Sequence, residues 1–323
     1  MKISIVTTLY QSAIYLEEFH RRVTRVVRSL TDDYEIVLVN DGSPDDSQVI
    51  AQKLCAVDSR CRLLEMSRNF GHHKAIMTGL EDAAGDFVFL IDCDLEEDPA
   101  WLISFYEELV KEDSDVVYGV QRSRKGGWFE RLSGRVFYGA VDRFCDVSIP
   151  RNLVTARLMR RDYVSSLVAH RDREVFLAGL WVITGYRQCP YTVVKRSNSD
   201  STYSLARKLD ILINVITSFS VRPLHMVFHL GLIIAVVTSI AAAMIIAQKL
   251  FLGGALSGWT SLIVSIWLLG GMTICCIGIV GLYVAKTFSE TKRRPYTIVR
   301  SVSGFERDGE GVVRDAVEWK DAA

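Results

Sequence analysis

The sequence predicts an α/β domain with a mostly parallel sheet, followed by two membrane-spanning helices. Two observations lead to this prediction. Short strand-like runs alternate with helix-like patterns over the first 120 residues, which is typical of a parallel sheet with helices on both faces. Later, between Arg222 and Lys286, Lys249 is the only residue of the four charged types Asp, Glu, Lys and Arg.

β-Branched and aromatic residues concentrate in five short runs near the N-terminus, which we interpret as strands. The runs are Ile3–Thr8, Glu35–Val39, Arg62–Met66, Phe87–Ile91 and Asp115–Val120. Between the first two, apolar residues recur at helical spacing from Tyr15 to Leu30. Ligands of such sheets bind beyond the carboxyl ends of the strands, so polar residues after the strands are expected to meet at one edge.

Three polar clusters follow predicted strands: Asn40–Ser43, Ser67–Gly71 and Asp92–Asp94. The third begins an acidic stretch, FVFLIDCDLEEDP, in which five carboxylates follow an apolar strand. Because unpaired carboxylates repel one another and resist burial, we expect a cation there. Two aspartates separated by one residue can direct oxygens toward one hard divalent ion. The sequence contains no GxxxxGK[ST] loop and no GxGxxG after the first strand, which excludes those nucleotide sites.

Two apolar runs, about 224–247 and 259–285, each exceed the roughly 20 residues that a membrane-spanning helix needs. Lysines and arginines flank the outer ends of the pair, so we predict that both termini are cytoplasmic. The preceding stretch 204–223 has helical apolar spacing and is predicted to lie along the membrane surface as an amphipathic helix. The tail 286–323 is predicted to be cytoplasmic and weakly ordered.

Charge and cysteine usage exclude some classes of partner. Lys+Arg and Asp+Glu both total 38, so net charge does not favour nucleic acid, and none is expected as a partner. The seven cysteines include no CxxC pair, which argues against a zinc or disulfide framework. His72 and His73 are adjacent at a predicted helix start and point to different faces, so we interpret them as solvent-facing or helix-start residues.

The order of the motifs resembles that of family-2 glycosyltransferases over roughly residues 1 to 300. More narrowly, it is similar to the polyprenyl-phosphate glycosyltransferases, such as dolichyl-phosphate mannose synthase and the bacterial bactoprenol glucosyltransferases. The motifs that carry the resemblance are Val39–Ser43, Ser67–Gly71, Gly85–Asp86, Ile91–Leu95, Tyr118–Arg124, Gly185–Gln188, Thr217–Ser220 with Pro223–Leu224, and Lys292–Pro295.

The resemblance implies a Rossmann-like GT-A catalytic domain at residues 1–203, on the cytoplasmic face of a bacterial inner membrane. The implied reaction moves a sugar, with inversion, from a nucleotide-diphosphate sugar to undecaprenyl or dolichyl phosphate, using Mg²⁺ or Mn²⁺. A phosphate acceptor carries its own nucleophilic oxygen, so no side chain is expected to act as general base. The implied roles are catalysis by Asp92, Asp94, Arg122 and Arg124; metal binding by Asp92, Asp94 and Glu96; donor binding by Thr8, Tyr10, Asp41 and Arg68; and acceptor-phosphate binding by Arg157 and Arg196.

Three residues depart from the family pattern. Ser12 replaces an acidic residue, Thr155 replaces an aspartate, and Thr202 replaces a lysine. These losses leave open a degenerate, non-catalytic subunit of the same fold. A transferase that builds and extrudes a polysaccharide also stays open, although two spans per chain would then require a homo-oligomer.

Overall fold

The structure is a computed structural model, and it describes residues 1–121, 139, 143, 150, 152–173, 175–195, 217, 220–252, 258–292 and 294–304. Its contacts divide the chain into two units. Unit 1 comprises Met1–Arg131, Ile149–Thr202 and Arg294–Ala323, and unit 2 comprises Leu132–Ser148 and Tyr203–Arg293.

Within the described residues, unit 1 is built on one eight-stranded sheet. Its strands are β1 (Ile3–Leu9), β2 (Tyr34–Asn40), β3 (Cys61–Met66), β4 (Phe87–Leu90), β5 (Val116–Gln121), β6 (Leu153–Arg160), β7 (Gln188–Val193) and β8 (Val299–Gly304), in the spatial order β7-β5-β6-β4-β1-β2-β3-β8. All five predicted strands are confirmed, each within one residue of its predicted ends.

The sheet is mixed rather than purely parallel. Parallel pairs join β1 to β2, β1 to β4, β2 to β3, and β5 to β7. Strand β6 runs antiparallel to both β4 and β5, and β8 runs antiparallel to β3. Strands β4, β5 and β7 therefore point the same way, and their carboxyl ends lie at the same edge as those of β1 to β3.

Helices cover both faces of the sheet. They are α1 (Ala13–Arg28), α2 (Ser47–Val57), α3 (His72–Asp82), α4 (Trp101–Lys111), α5 (Arg161–Val168) and α6 (Leu177–Ile183). Because side chains alternate along a strand, Ile36 of β2 belongs to the core that contains Phe19 of α1, while Val37 belongs to the core that contains Ile76 of α3. The helical spacing that predicts α1 is confirmed, since its buried stripe is Leu16, Phe19, Val23 and Val27.

The prediction of a weakly ordered tail is wrong for residues 294–304. This segment returns to the sheet, where β8 pairs with β3 and the Ser301 hydroxyl donates to Glu65 Oε2 at 2.7 Å. Just before β8, the Ile298 carbonyl accepts a hydrogen bond from the Ser67 amide, and Thr297 contacts Thr78 of α3. β3 thus receives backbone partners along its outer side, so β8 is an integral part of the sheet.

Unit 2 contains two long helices, α7 (Arg222–Leu252) and α8 (Trp259–Thr291). Among the described residues, the helical stretch Ser265–Thr291 is long and apolar enough to cross a membrane, with a mean hydropathy of 2.1, and α7 contributes the shorter apolar stretch Arg222–Thr238. Two spans therefore stay a prediction. Residues 204–216 of the predicted amphipathic helix lie outside the described residues.

Candidate active site

The acidic loop, residues 91–99, follows β4 at the carboxyl edge of the sheet. Leu95 has a φ of 59°, in the left-handed region that costs a non-glycine residue roughly 1–2 kcal/mol. Asp94 stabilises this turn, because its Oδ1 accepts a hydrogen bond from the Glu96 amide at 2.9 Å. Burial raises the pKa of Asp94, the Glu96 amide opposes that effect, and the charge of Asp92 adds to it. Such strained turns concentrate at functional sites.

Glu97 anchors the acidic loop to β6 from a fully buried position. Its Oε1 accepts a hydrogen bond from the Thr155 amide at 3.0 Å, and its Oε2 accepts a longer one from the Asp92 amide at 3.5 Å. Burial, followed by the charge of Asp92, raises the pKa of Glu97 to about 8. Thr155 therefore supports the acidic loop through its backbone amide.

Lys195 brings a positive charge to the acidic loop. Its Nζ lies 3.1 Å from Glu96 Oε2 and 3.9 Å from Glu97 Oε1. Burial favours the neutral amine, but the charges of Glu97 and Asp92 outweigh it and raise the pKa of Lys195. Lys195 is not among the predicted site residues, because no sequence pattern indicated β7, whose carboxyl end places this residue at the edge.

His72 joins the end of β1 to the acidic loop. Its Nδ1 lies 3.1 Å from the Thr8 hydroxyl, and its Nε2 lies 3.6 Å from Asp92 Oδ1. His73 points elsewhere, with Nδ1 3.0 Å from the Val175 carbonyl, and burial lowers its pKa. The two rings do face different directions at the start of α3. Both residues do lie at the start of α3, as predicted, and His72 is exposed, whereas His73 is only partly exposed. The prediction did not include the contact of His72 with Asp92.

Asp41 holds the loop after β3 in place. Its Oδ1 and Oδ2 accept hydrogen bonds from the Phe70 and Gly71 amides at 2.7 and 3.0 Å, and only 2% of the residue is exposed. Burial raises its pKa, although the two amides favour the charged form. Gly42 is required beside it, because a Cβ there would lie 2.5 Å from the Asn69 nitrogen. This geometry favours a positioning role for Asp41, and its predicted contact with the donor stays a prediction.

Two other predicted donor contacts are accessible. Tyr10 and Arg68 are both exposed at the same edge, after β1 and β3. The Arg68 guanidinium lies 4.1 Å from the centre of the Phe70 ring and donates to the Asn69 carbonyl. Because both side chains are exposed at the carboxyl edge, a nucleotide could reach them there.

Arg157 is not at the surface. It is 1% exposed, lies over the Trp181 ring, and donates hydrogen bonds to the carbonyls of Thr155 and Val154. This geometry favours a structural role over the predicted contact with an acceptor phosphate. The other predicted arginines, Arg122, Arg124 and Arg196, lie outside the described residues.

Comparison with known proteins identifies the family of the chain. Residues 4–168, about half of the chain, match the model of glycosyl transferase family 2. The chain belongs to this family. It is a glycosyltransferase, and unit 1 is a GT-A-like α/β domain, which confirms the resemblance that the motifs indicated.

Relatives of this glycosyltransferase align over nearly its whole length. A protein of Mycobacterium tuberculosis described as a putative glycosyltransferase is 49% identical, and the alignment covers 95% of this chain and 90% of that protein. The bactoprenol glucosyl transferase of Shigella phage SfV is 30% identical, and the alignment covers 93% of this chain and 99% of that protein. Among solved structures, glucosyl-3-phosphoglycerate synthase of Mycobacterium tuberculosis in complex with Mn²⁺, UDP and glucosyl-3-phosphoglycerate is 19% identical. The match covers 67% of this chain and 77% of that chain, with a TM-score of 0.46.

The acidic loop of this glycosyltransferase fits a divalent cation that arrives with phosphates. No group of three or more His, Cys, Asp or Glu side chains forms a ready metal cage among the described residues. Mg²⁺ does not require one, because it is commonly held by one or two carboxylates together with substrate phosphates and water. Asp92 and Asp94 supply such hard oxygen donors at the mouth of the sheet, with Glu96 beside them, so the donor set suits the predicted metal.

Proposed function

We propose that this glycosyltransferase moves a sugar from a nucleotide-diphosphate sugar to a polyprenyl phosphate, such as undecaprenyl phosphate, at a membrane surface. One observation carries the proposal: the strand that completes the catalytic sheet, β8, follows directly after the apolar helices. The apolar helices thus lie between two parts of the catalytic domain in the chain, after β7 and before β8. Its similarity to bactoprenol glucosyl transferases over 93% of the chain supports the same acceptor class.

The carboxyl edge supplies what the donor requires. Asp92 and Asp94 would hold Mg²⁺ or Mn²⁺, which neutralises the diphosphate and makes it a better leaving group. Tyr10 and Arg68 lie exposed at the same edge for the nucleoside. Thr8 contacts His72, which in turn lies 3.6 Å from Asp92, so the end of β1 and the acidic loop are positioned together.

A phosphate acceptor simplifies the chemistry. The bond between the sugar C1 and the donor β-phosphate oxygen breaks, and its electron pair stays on that oxygen. An oxygen of the acceptor phosphate forms the new bond to C1 from the opposite side, which inverts the configuration. This oxygen carries no proton that must be removed, because a phosphate monoester has a charge of about −1.5 to −2 at pH 7. The protein therefore needs to position the reactants and screen their charges.

Strand β8 also supports two membrane crossings. Residues 61–66 and 299–304 are hydrogen-bonded neighbours in one sheet, so both lie on the same side of a membrane. The chain between them must cross an even number of times. If Ser265–Thr291 crosses, the preceding apolar segment in α7 must also cross. The flanking cations then favour a cytoplasmic location for the catalytic domain and both termini.

The acceptor is tested with the full-length protein in detergent, Mn²⁺ or Mg²⁺, and a panel of radiolabelled nucleotide sugars. Undecaprenyl phosphate should yield radioactivity that enters organic solvent and is released by mild acid. Undecaprenol, which has the same chain without the phosphate, is the matched control and should yield none. Sugar transfer only to undecaprenol, to other hydroxyl acceptors or to a polymer would contradict a polyprenyl phosphate as the acceptor.

The topology is tested by single-cysteine labelling in intact cells, using a chain in which the native cysteines are replaced. A cysteine at Gly254, between the apolar segments, should react with a membrane-impermeant maleimide. Cysteines at Ser59 and at Asp308 should react only after the membrane is opened. Equal accessibility of all three sites would contradict two crossings.

A further inference from the structure

We propose that Lys195 is an exchangeable counterion of the acidic loop, which pairs with Glu96 in the metal-free protein and with the donor diphosphate once a divalent cation takes Glu96. The inference rests on the proposed function, because it requires a donor that contains a diphosphate. It adds a contact with the donor diphosphate to the metal ligands and nucleoside contacts proposed for this site.

The geometry of the pair is the first support. Lys195 Nζ lies 3.1 Å from Glu96 Oε2, and the two side chains are 22% and 12% exposed. Partial burial strengthens an ion pair relative to one in open water. Glu97 Oε1 lies farther from the same ammonium, at 3.9 Å, in a fully buried position. Lys195 is therefore held against the acidic loop mainly by Glu96.

The position of the pair is the second support. Glu96 is two residues from Asp94 and is one of the three predicted metal ligands, so the ammonium is paired with an oxygen that the cation would need. Two cations on one carboxylate oxygen repel each other strongly at such distances. Metal binding at Glu96 must therefore release Lys195, at a point where the diphosphate of the donor offers it a new anion.

Lysine is suited to this exchange. Its ammonium is a compact point charge on a flexible four-carbon stem, so it can turn from one anion to another without moving the backbone of β7. Arginine would keep the charge, but its planar fork favours two-point bonds to one carboxylate. A purely structural role, in which Lys195 only ties β7 to the acidic loop, is the competing explanation.

Two binding constants separate these explanations in the full-length protein. The first is the dissociation constant of Mn²⁺ alone, measured by electron paramagnetic resonance. The second is that of nucleoside diphosphates at saturating Mn²⁺, measured by calorimetry with UDP, GDP, CDP, ADP and dTDP. The variants are Lys195→Met and Lys195→Arg, with Lys53→Met as a matched loss of an exposed lysine on α2.

We expect opposite shifts for Lys195→Met. Mn²⁺ should bind about tenfold more tightly, because its competitor for Glu96 is gone. The best-binding diphosphate should bind about tenfold more weakly, because it loses a charged hydrogen bond. Lys195→Arg should restore only part of the diphosphate binding, because its fork keeps the charge but holds Glu96 more strongly. Lys53→Met should leave both constants unchanged.

Three results would overturn the inference. If Lys195→Met weakens the binding of both Mn²⁺ and the diphosphate and lowers the unfolding temperature, Lys195 has a structural role. If either constant stays unchanged, no exchange takes place. If none of the five diphosphates binds to the wild-type protein with Mn²⁺, the proposed donor class is itself wrong, and the inference fails with it.

Discussion

Glu35 at the amino edge of the sheet and Glu97 at the carboxyl edge are both buried carboxylates, but they are held differently. Glu35 accepts hydrogen bonds of 2.6 Å from the Ser4 hydroxyl and from the Ala84 amide, and Lys2 Nζ lies 2.9 Å from it. The contacts of Glu97 are longer: 3.0 Å to the Thr155 amide, 3.5 Å to the Asp92 amide and 3.9 Å to Lys195 Nζ.

The difference lies in the charge around each group. Glu35 has a close cation and two short donors, so its burial stabilises the junction of β1, β2 and the segment before β4. Glu97 lies near Asp92 in the acidic loop, and burial together with the charge of Asp92 raises the cost of ionising it. An excess of negative charge that costs folding free energy indicates a functional site at the carboxyl edge.

The largest expected effect comes from Asp94→Ala. Removing a metal ligand should lower the rate of sugar transfer on the order of 10³-fold, because the diphosphate charge is no longer neutralised. The unfolding temperature should change little. Glu17→Ala, an exposed carboxylate on α1, is the control and should keep wild-type activity. Undiminished transfer by Asp94→Ala in the presence of EDTA would contradict a metal-dependent site.

At the amino edge, Glu35→Gln should lower the free energy of unfolding by about 2 kcal/mol, because the amide cannot form the ion pair with Lys2. Activity per folded molecule should stay at the wild-type level, since Glu35 lies at the opposite edge from the acidic loop. Denaturant unfolding and active-site titration measure the two quantities separately. A loss of activity without a loss of stability would show that the two edges are coupled.

The same substitution at the carboxyl edge, Glu97→Gln, should change the free energy of unfolding of the metal-free protein by less than about 1 kcal/mol. Burial and the charge of Asp92 raise the pKa of Glu97 to about 8, so the side chain is mostly protonated at neutral pH and the substitution removes little charge. Glu35→Gln is the matched comparison in the same denaturant series. Equal losses for the two variants would mean that the two glutamates are held alike.

The smallest effect is expected at Asp45, a carboxylate at the carboxyl edge that accepts three hydrogen bonds. Burial alone would raise its pKa, but hydrogen bonds from Ser43, Ser47 and the Ala13 amide lower the pKa of Asp45 to about 2. A lowered carboxyl pKa stabilises the folded state above the ordinary value of 3.8, and this stabilisation is lost as the pH falls toward 2.

Asp45→Asn should therefore destabilise the protein modestly at neutral pH, by about 1 kcal/mol or less. The difference from wild type should shrink as the pH is lowered through this range. Unfolding midpoints measured from pH 2 to pH 7 check the sign. A difference that grows toward low pH would mean that Asp45 is protonated in the folded state.

Much of the fold was predictable because its signals are local. The β-branched and aromatic runs of β1 to β5 and the helical stripe of α1 depend on residues within a few positions of each other. The polar clusters at strand ends were predictable for the same reason, since a parallel sheet brings its carboxyl ends to one edge. The acidic stretch from Asp92 to Asp98 and the apolar runs after Arg222 depend only on composition.

From the sequence alone we could therefore predict the first five strands, the acidic loop, the apolar segments and the family. The tertiary structure decided which of these meet: β8 returning to β3, Lys195 pairing with Glu96, His72 contacting Asp92, and Arg157 being buried rather than exposed to a phosphate. These contacts join residues between about 20 and 240 positions apart. They depend on the order and direction of strands in the sheet, which the local periodicity of a chain does not encode.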